Sequence, residues 1–333
     1  MLPINPKPPV TITFFIILFF TLDETVSIPS KIYLINQLSM SISRQNLTVV
    51  IVTLKSDHVI DQCIQSIDGN ISILVVENSQ NQDFKNNIEK KYKNVSCILT
   101  NKNIGMGSGN NFGILNTKTD FVMILNPDVL LFNDTIDKLI EAGKLLKDFA
   151  ILAPLSDNLK FPNYKTTSKN VNNSNVLEVD SVDGYSMLIN KKKITKLLNT
   201  EKNEKFFDEN FFMYLENDDL CKRIKDNKEK IFVVQDSKIK HYGAKAVSDE
   251  FYNEVELSRN WHWSWSKFYY TKKHKGYIYA LIEGLPKLFS SMIKYFFYLI
   301  INKKYKSKIY HKRTSGLYNA IIGKSSWYRP KLD

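Results

Sequence analysis

Cysteine is scarce in this chain of 333 residues: only Cys63, Cys97 and Cys221 occur, far apart and without a C-x-x-C pair. That excludes a disulfide framework and a thiolate zinc site, and it fits reduced thiols in a cytosolic setting. Long apolar runs are missing too. The run near the N-terminus, Val10 to Leu22, has thirteen residues, against the roughly 20 that a membrane-spanning helix needs. It matches a signal-peptide core or an interfacial segment, yet no small-x-small cleavage site follows it. Residues 1–45 are therefore expected to form a leader or weak membrane anchor outside the fold. Acidic residues nearly vanish from one stretch: between Lys267 and Arg313, Glu283 alone stands against twelve Lys or Arg. The net charge of +12 is thus concentrated in the last fifth of the chain. No nucleic-acid recognition motif accompanies it, so nucleic acid is not an expected partner.

What is present is the composition of a globular protein. Hydrophobic residues make up 43%, with 20 Phe and 17 Tyr, which excludes a disordered chain. The length fits one large domain with appendages, here expected as residues 46–250 followed by a helical, basic region over 251–333. Leu47 to Thr53, "LTVVIVT", reads as a strand buried on both faces. Val59, Ile60, Cys63, Ile64 and Ile67 then recur at helical spacing. Further strands are expected at 71–77, 95–100 and 120–126, alternating with helices at 84–92, 110–116 and 135–146. Alternation of this kind predicts an α/β fold with a mostly parallel sheet flanked by helices, and in such sheets ligands bind at the carboxyl ends of the strands. Beyond Ala153, residues 156–175 are polar and Asn-rich and read as a loop or flap. A strand or strand pair over 176–190, two helices and a strand ending at His241 follow.

The strand ends carry the polar residues. Thr53 closes the first strand, Glu77-Asn78-Ser79 the second and Asn126-Pro127-Asp128 the fourth, and parallel strands bring these ends to one edge. An acid at the second strand can accept hydrogen bonds from a ribose or base. Asp128 can ligate a hard cation, which wants oxygen ligands, although Asn, Pro and Asp also make a plain turn. Between these clusters lies "NKNIGMGSGNNFGI", Asn101 to Ile114. A dinucleotide fingerprint has glycines spaced G-x-G-x-x-G and follows the first strand, whereas this loop reads G-x-G-x-G and follows the third. That makes a nicotinamide dehydrogenase a weak reading. Asp183-Gly184 is either an ordinary bend or a place where a ligand closely approaches backbone.

Taken in order, "VVIVTLKS", "ILVVENSQ", "NKNIGMGSGNNFGI", "MILNPDV", "VDGYSMLI", "FFMYLENDDLCKR" and "IKHYGAKAV" resemble the inverting GT-A glycosyltransferases of family 2, especially the rhamnosyltransferase-like branch. The resemblance covers about Leu47 to Lys273. It implies a GT-A fold, a nucleotide-diphosphate sugar donor (a dTDP- or UDP-sugar, with dTDP-rhamnose as the best guess), Mn²⁺ or Mg²⁺, and a carboxylate base. It implies that Thr53, Glu77 and Asn78 line the nucleoside pocket. Asn103, Gly105, Asn110 and Asn111 would border nucleotide and sugar, and Asp183 and Gly184 the donor sugar and acceptor. Asn126 and Asp128 fill the D-x-D slot with the first Asp replaced, and His241 stands where the family has a metal-binding histidine.

The segment "FFMYLENDDLCKRIKD" raises the question of the base. Acids at a helix start are ordinarily explained by the helix dipole. Inversion needs a carboxylate to deprotonate the acceptor hydroxyl, and the family's usual Asp is here Asn217, whose amide cannot take the proton. Glu216 or Asp218 is left; Glu216 is preferred, with Asp219 orienting it or binding acceptor hydroxyls. Downstream, Trp261, Trp263 and Trp265 suit either packing or a lipid-linked acceptor. Residues 285–308 join an apolar helix to a Lys cluster, which suits an anionic membrane surface as well as a solvated tail. The expectation is a transferase acting on a saccharide or lipid-linked acceptor, cytoplasmic and peripheral to the inner face of the membrane. The rival is a non-catalytic nucleotide-sugar or carbohydrate binding protein of the same fold, suggested by Asn217 and the incomplete D-x-D.

Overall fold

Strand β1, Leu47–Thr53, shows why the chain builds a layered α/β structure. Its alternate side chains Leu47, Val49 and Ile51 enter one buried apolar layer, and Val50 and Val52 enter another on the opposite face. A strand apolar on both sides must be covered on both sides. The computed structural model describes residues 41–158, 162–167, 175–198 and 205–332. The expected N-terminal leader lies outside the described residues, apart from 41–45 at the foot of β1, and so does much of the expected flap.

The first half alternates regularly. After β1 come α1 (Ile60–Gln65), β2 (Ser72–Glu77), α2 (Gln82–Lys91), β3 (Val95–Leu99), α3 (Met106–Asn116), β4 (Phe121–Leu125), β5 (Val129–Leu131) and α4 (Thr135–Leu146). β6 (Ile151–Ser156), β7 (Tyr164–Lys165), β8 (Val176–Glu178), β9 (Ser181–Val182), β10 (Ser186–Asn190), α5 (Lys191–Leu197), α6 (Glu216–Asp226) and β11 (Ile231–His241) follow. Among the described residues the sheet runs β3-β2-β1-β4-β10-β6-β11-β5, with β8 beside β11, and β7 and β9 form a separate pair. β3, β2, β1 and β4 are parallel. β10 is antiparallel to both β4 and β6, and β11 runs parallel to β6. The parallel block is therefore extended by an inserted antiparallel strand, which brings the start of β10 to the same edge as the end of β4.

Helix α3 begins at Met106, well before the expected Asn110. Glycine is a poor helix former, but here tertiary packing requires it. A Cβ on Gly109 would come within 2.8 Å of Val52, and one on Gly113 within 2.3 Å of Val50. The glycines let the helix lie directly on β1.

The C-terminal helices are α7 (Tyr252–Lys275), α8 (Tyr277–Ile300) and α9 (Lys304–Ile321). Trp261, Trp265, Phe268, Ala280, Leu317 and Ala320 form their own core. Trp263 sits between the two buried tryptophans in sequence, on the opposite helix face, and is 48% exposed. α7 also holds the chain before α6: the Ser266 hydroxyl donates to the Met213 carbonyl (2.8 Å) and Tyr269 to Asp208 (3.0 Å). Among the described residues no helix is long and apolar enough to cross a membrane.

Candidate active site

Parallel strands of order 2-1-4 leave a crevice where connections diverge to opposite sides, and polar strand ends collect there. A cleft of about 620 Å³ opens at this edge, between the sheet, α6 and the start of α7. Thr53, Asn78, Asn103, Gly105, Asn126, Asp128, Asp183, Gly184, Glu216, Asp218 and His241 all line it. Residues separated by nearly 190 positions thus converge as the strand ends predicted.

Asp128 follows β4 and is almost fully buried. Its Oδ2 accepts from the Lys245 backbone N–H (3.1 Å), while Oδ1 makes no hydrogen bond and lies 3.5 Å from His241 Nε2. Burial works against ionisation, but His241 and the Lys245 N–H outweigh it and hold the Asp128 carboxyl below its ordinary range. β11 delivers His241 opposite Val129, and the Tyr185 ring stacks on its imidazole at 3.9 Å between centroids. One carboxylate and one imidazole form a donor pair for a divalent cation. With metal–ligand bonds of roughly 2.1 Å, two ligands of one ion stand about 3 Å or more apart. The orphaned buried Oδ1 and its distance to Nε2 fit such an ion. Among the described residues no third His, Cys, Asp or Glu joins them, so an ion held here would have to take its remaining ligands from water or substrate.

The four residues at the start of α6 separate cleanly. Tyr214 and Leu215 both take left-handed backbone (φ 70° and 68°), a conformation that costs about 1–3 kcal/mol for a non-glycine residue. This turn presents Glu216 to the cleft, where its side chain packs over Gly107. Glu216 is half-buried as a residue, yet its Oε2 is closed off from solvent and makes no hydrogen bond. Burial, reinforced by the nearby Asp218 carboxylate and only partly offset by a backbone N–H, pushes its carboxyl up to about 7. The Asn217 amide donates to the Val182 carbonyl (2.9 Å) and abuts Gly184, so it ties α6 to β9. Asp218 is paired with Lys165 at 2.6 Å. Asp219 is fully buried and outside the cleft lining, held by Arg223 (2.9 Å), Lys273 (2.7 Å) and His274 (2.9 Å). It was expected beside Glu216, but Lys273 and His274 of α7 draw it the other way, and it anchors α6 to α7.

Three other expected site residues do not line the cleft either. Glu77 lies just behind it, accepting from the Thr53 and Ser79 hydroxyls and the Ser79 N–H, and burial raises its carboxyl despite them. Asn111 bridges the backbone N–H and carbonyl of Phe207 and so pins the segment leading to α6. Asn110 is buried with its Oδ1 unpartnered. The glycine-rich loop also has a different task from a phosphate cradle. Gly105 sits at φ 87°, and a Cβ there would meet the Phe212 carbonyl oxygen at 2.3 Å.

Sequence reasoning passed over Lys165, Tyr185, Tyr214, Ser258 and Arg259, which also line the cleft. Tyr185 and Tyr214 stood inside motifs already singled out; the others come from a short strand and a helix face with no local signal.

Fold and cleft together define a GT-A type α/β protein with its site at the carboxyl edge of the sheet. The chain belongs to glycosyl transferase family 2, whose family model matches residues 48–223. It is therefore a glycosyltransferase of family 2 type, an enzyme rather than a binding module. No curated protein matches it. Similar solved structures include GalNAc-T7 with UDP, GalNAc and Mn²⁺ (13% identity, TM-score 0.51), covering 68% of this chain and 50% of that one. Another is mannosyltransferase PcManGT from Pyrobaculum calidifontis in complex with GDP-Man and Mn²⁺ (12% identity, TM-score 0.50), covering 89% and 95%. The chain spans about half the length of GalNAc-T7, and at these identities the likeness is one of fold.

Proposed function

We propose that the enzyme transfers a sugar, with inversion, from a nucleotide-diphosphate sugar to a hydroxyl of a saccharide or lipid-linked acceptor, with Glu216 as the general base. The observation that carries this is the state of Glu216: it faces the cleft, has an unpartnered oxygen and is raised to about 7, near the pH at which a base works best. Asp218, the other acid available in place of Asn217, is committed to Lys165. Asp128 and His241 would hold Mn²⁺ or Mg²⁺, and Mn²⁺ tolerates the imidazole better. When bound, such an ion neutralises charge building on the departing nucleoside diphosphate. Mn²⁺ in the GalNAc-T7 and PcManGT complexes supports this choice. Thr53, Asn78, Asn103 and Gly105 stand ready for the nucleotide, and Asp183 and Gly184 for the sugars.

The donor is a dTDP- or UDP-sugar in this reading, with dTDP-rhamnose resting on the motif resemblance alone. Peripheral attachment to an anionic membrane is supported by α8: Ile282, Phe289, Ile293 and Phe296 are 53–69% exposed on one face, and Lys303, Lys304, Lys306 and Lys308 follow directly. The test is release of nucleoside diphosphate from a panel of nucleotide sugars, with Mn²⁺ and candidate acceptors. Turnover that persists in Glu216→Gln removes the proposed base.

A further inference from the structure

A second cavity, of about 410 Å³, lies between α7, α8 and α9, and Trp263 lines both it and the cleft. Close helix crossings frame it. A Cβ on Gly316 would stand 2.2 Å from the Trp261 carbonyl oxygen, and one on Gly284 would stand 3.0 Å from the Phe268 ring. Four cations line the space: Lys267, Lys287, Lys294 and Arg313. Among the described residues none of the four is in an ion pair.

Their arrangement is convergent. Lys294 Nζ and Arg313 Cζ lie 5.5 and 5.2 Å from the centroid of the same ring, Tyr310. Arg313 spends Nε on Asn260 Oδ1 (2.6 Å), and its remaining N–H donors bond to nothing else among the described residues. Glu283, the acid on the cavity wall, lies 3.8 Å from Lys275. Four cations gathered in a concave site against the single carboxylate of Glu283 raise the local potential and favour an anion offering several oxygens.

We infer that this cavity receives a phosphate or diphosphate group of the acceptor, whose sugar passes Trp263 into the cleft and meets Glu216. The acceptor class is thus a phosphorylated saccharide, free or carried on a lipid. The link to the acceptor rests on the transfer reading above; the anion site stands on the cavity's own residues.

Calorimetry on the full chain tests it, with a chelator present so that metal-dependent diphosphate binding in the cleft is silent. Inorganic pyrophosphate and glucose 1-phosphate are expected to bind, and glucose is not. Lys287→Ala combined with Lys294→Ala should weaken both by roughly tenfold or more. Lys303→Ala with Lys304→Ala, which lie outside the cavity, should leave them bound. Absence of binding, or equal loss in the two double variants, overturns the inference. Phosphatidylcholine vesicles with and without phosphatidic acid identify the source: a larger loss of vesicle binding in the Lys287/Lys294 variant assigns a lipid phosphate, and loss confined to glucose 1-phosphate assigns a soluble one. Nucleotide-sugar turnover without pyrophosphate binding sinks this inference alone; pyrophosphate binding without turnover on any donor sinks the transfer reading alone.

Discussion

The Met106 backbone N–H donates to the Phe212 carbonyl at 3.0 Å, joining the glycine-rich segment to the strained turn that presents Glu216. Gly105 makes this bond possible, because its φ of 87° and its contact with the same carbonyl leave no room for a side chain. Gly105→Ala is expected to lower stability by about 2–4 kcal/mol and to depress turnover beyond the loss of folded protein. Urea denaturation and activity per folded molecule check this, and an unperturbed variant would refute the proposed linkage.

Glu216→Gln should reduce kcat by about 10²–10⁴. In the parent enzyme kcat/KM should rise with pH through about 7 as the carboxyl ionises, and that limb should be missing in the variant.

The same group carries a stability signature of definite sign. Its folded value of about 7 exceeds the ordinary 4.5, so the folded state holds the proton more tightly than the unfolded one. Stability is full below about 4.5 and falls as pH rises to about 7, by roughly 3 kcal/mol. Glu216→Gln should be the more stable protein at pH 8 and should lack this slope in thermal melts between pH 5 and 7.

Mn²⁺ should raise the melting temperature of the parent chain, since a ligand that binds only the folded state stabilises it. Asp128→Asn and His241→Ala should each lose most of that rise. A full metal-dependent shift in both variants would move the cation away from this pair.

Asp219 should behave as an anchor. Replacing it with Asn leaves Lys273 and Arg223 without their shared counter-charge, at a cost of about 3 kcal/mol. Mn²⁺-dependent nucleotide binding should survive while kcat falls, because α6 and Glu216 lose their hold on α7. Equal loss of nucleotide binding would place Asp219 in the donor site instead.

Much of the molecule was legible in its residue order. The strand at 47–53 and the helix at 135–146 follow from apolar periodicity, because local repeat and burial agree there. The convergence of Thr53, Asn78, Asp128 and His241 on one edge follows from parallel pairing, which brings strand ends together whatever the intervening loops. The roles of the glycines did not follow. Gly107, Gly109 and Gly113 are unfavourable in a helix on propensity, and only contact with β1 and Glu216 explains them.

The sequence by itself determined the layered sheet and the set of polar residues at its edge, since alternation and strand order are local properties of the chain. Only the tertiary structure decided among the acids of α6. Glu216, Asp218 and Asp219 are close in sequence and chemically alike, and what separates them is the company each meets: no hydrogen-bond partner for a buried oxygen, Lys165, and the Lys273 and His274 side chains of a helix more than fifty residues away. Desolvation and charge pairing act through space, so the acid proposed as proton acceptor differs from its neighbours by packing and not by position in the motif.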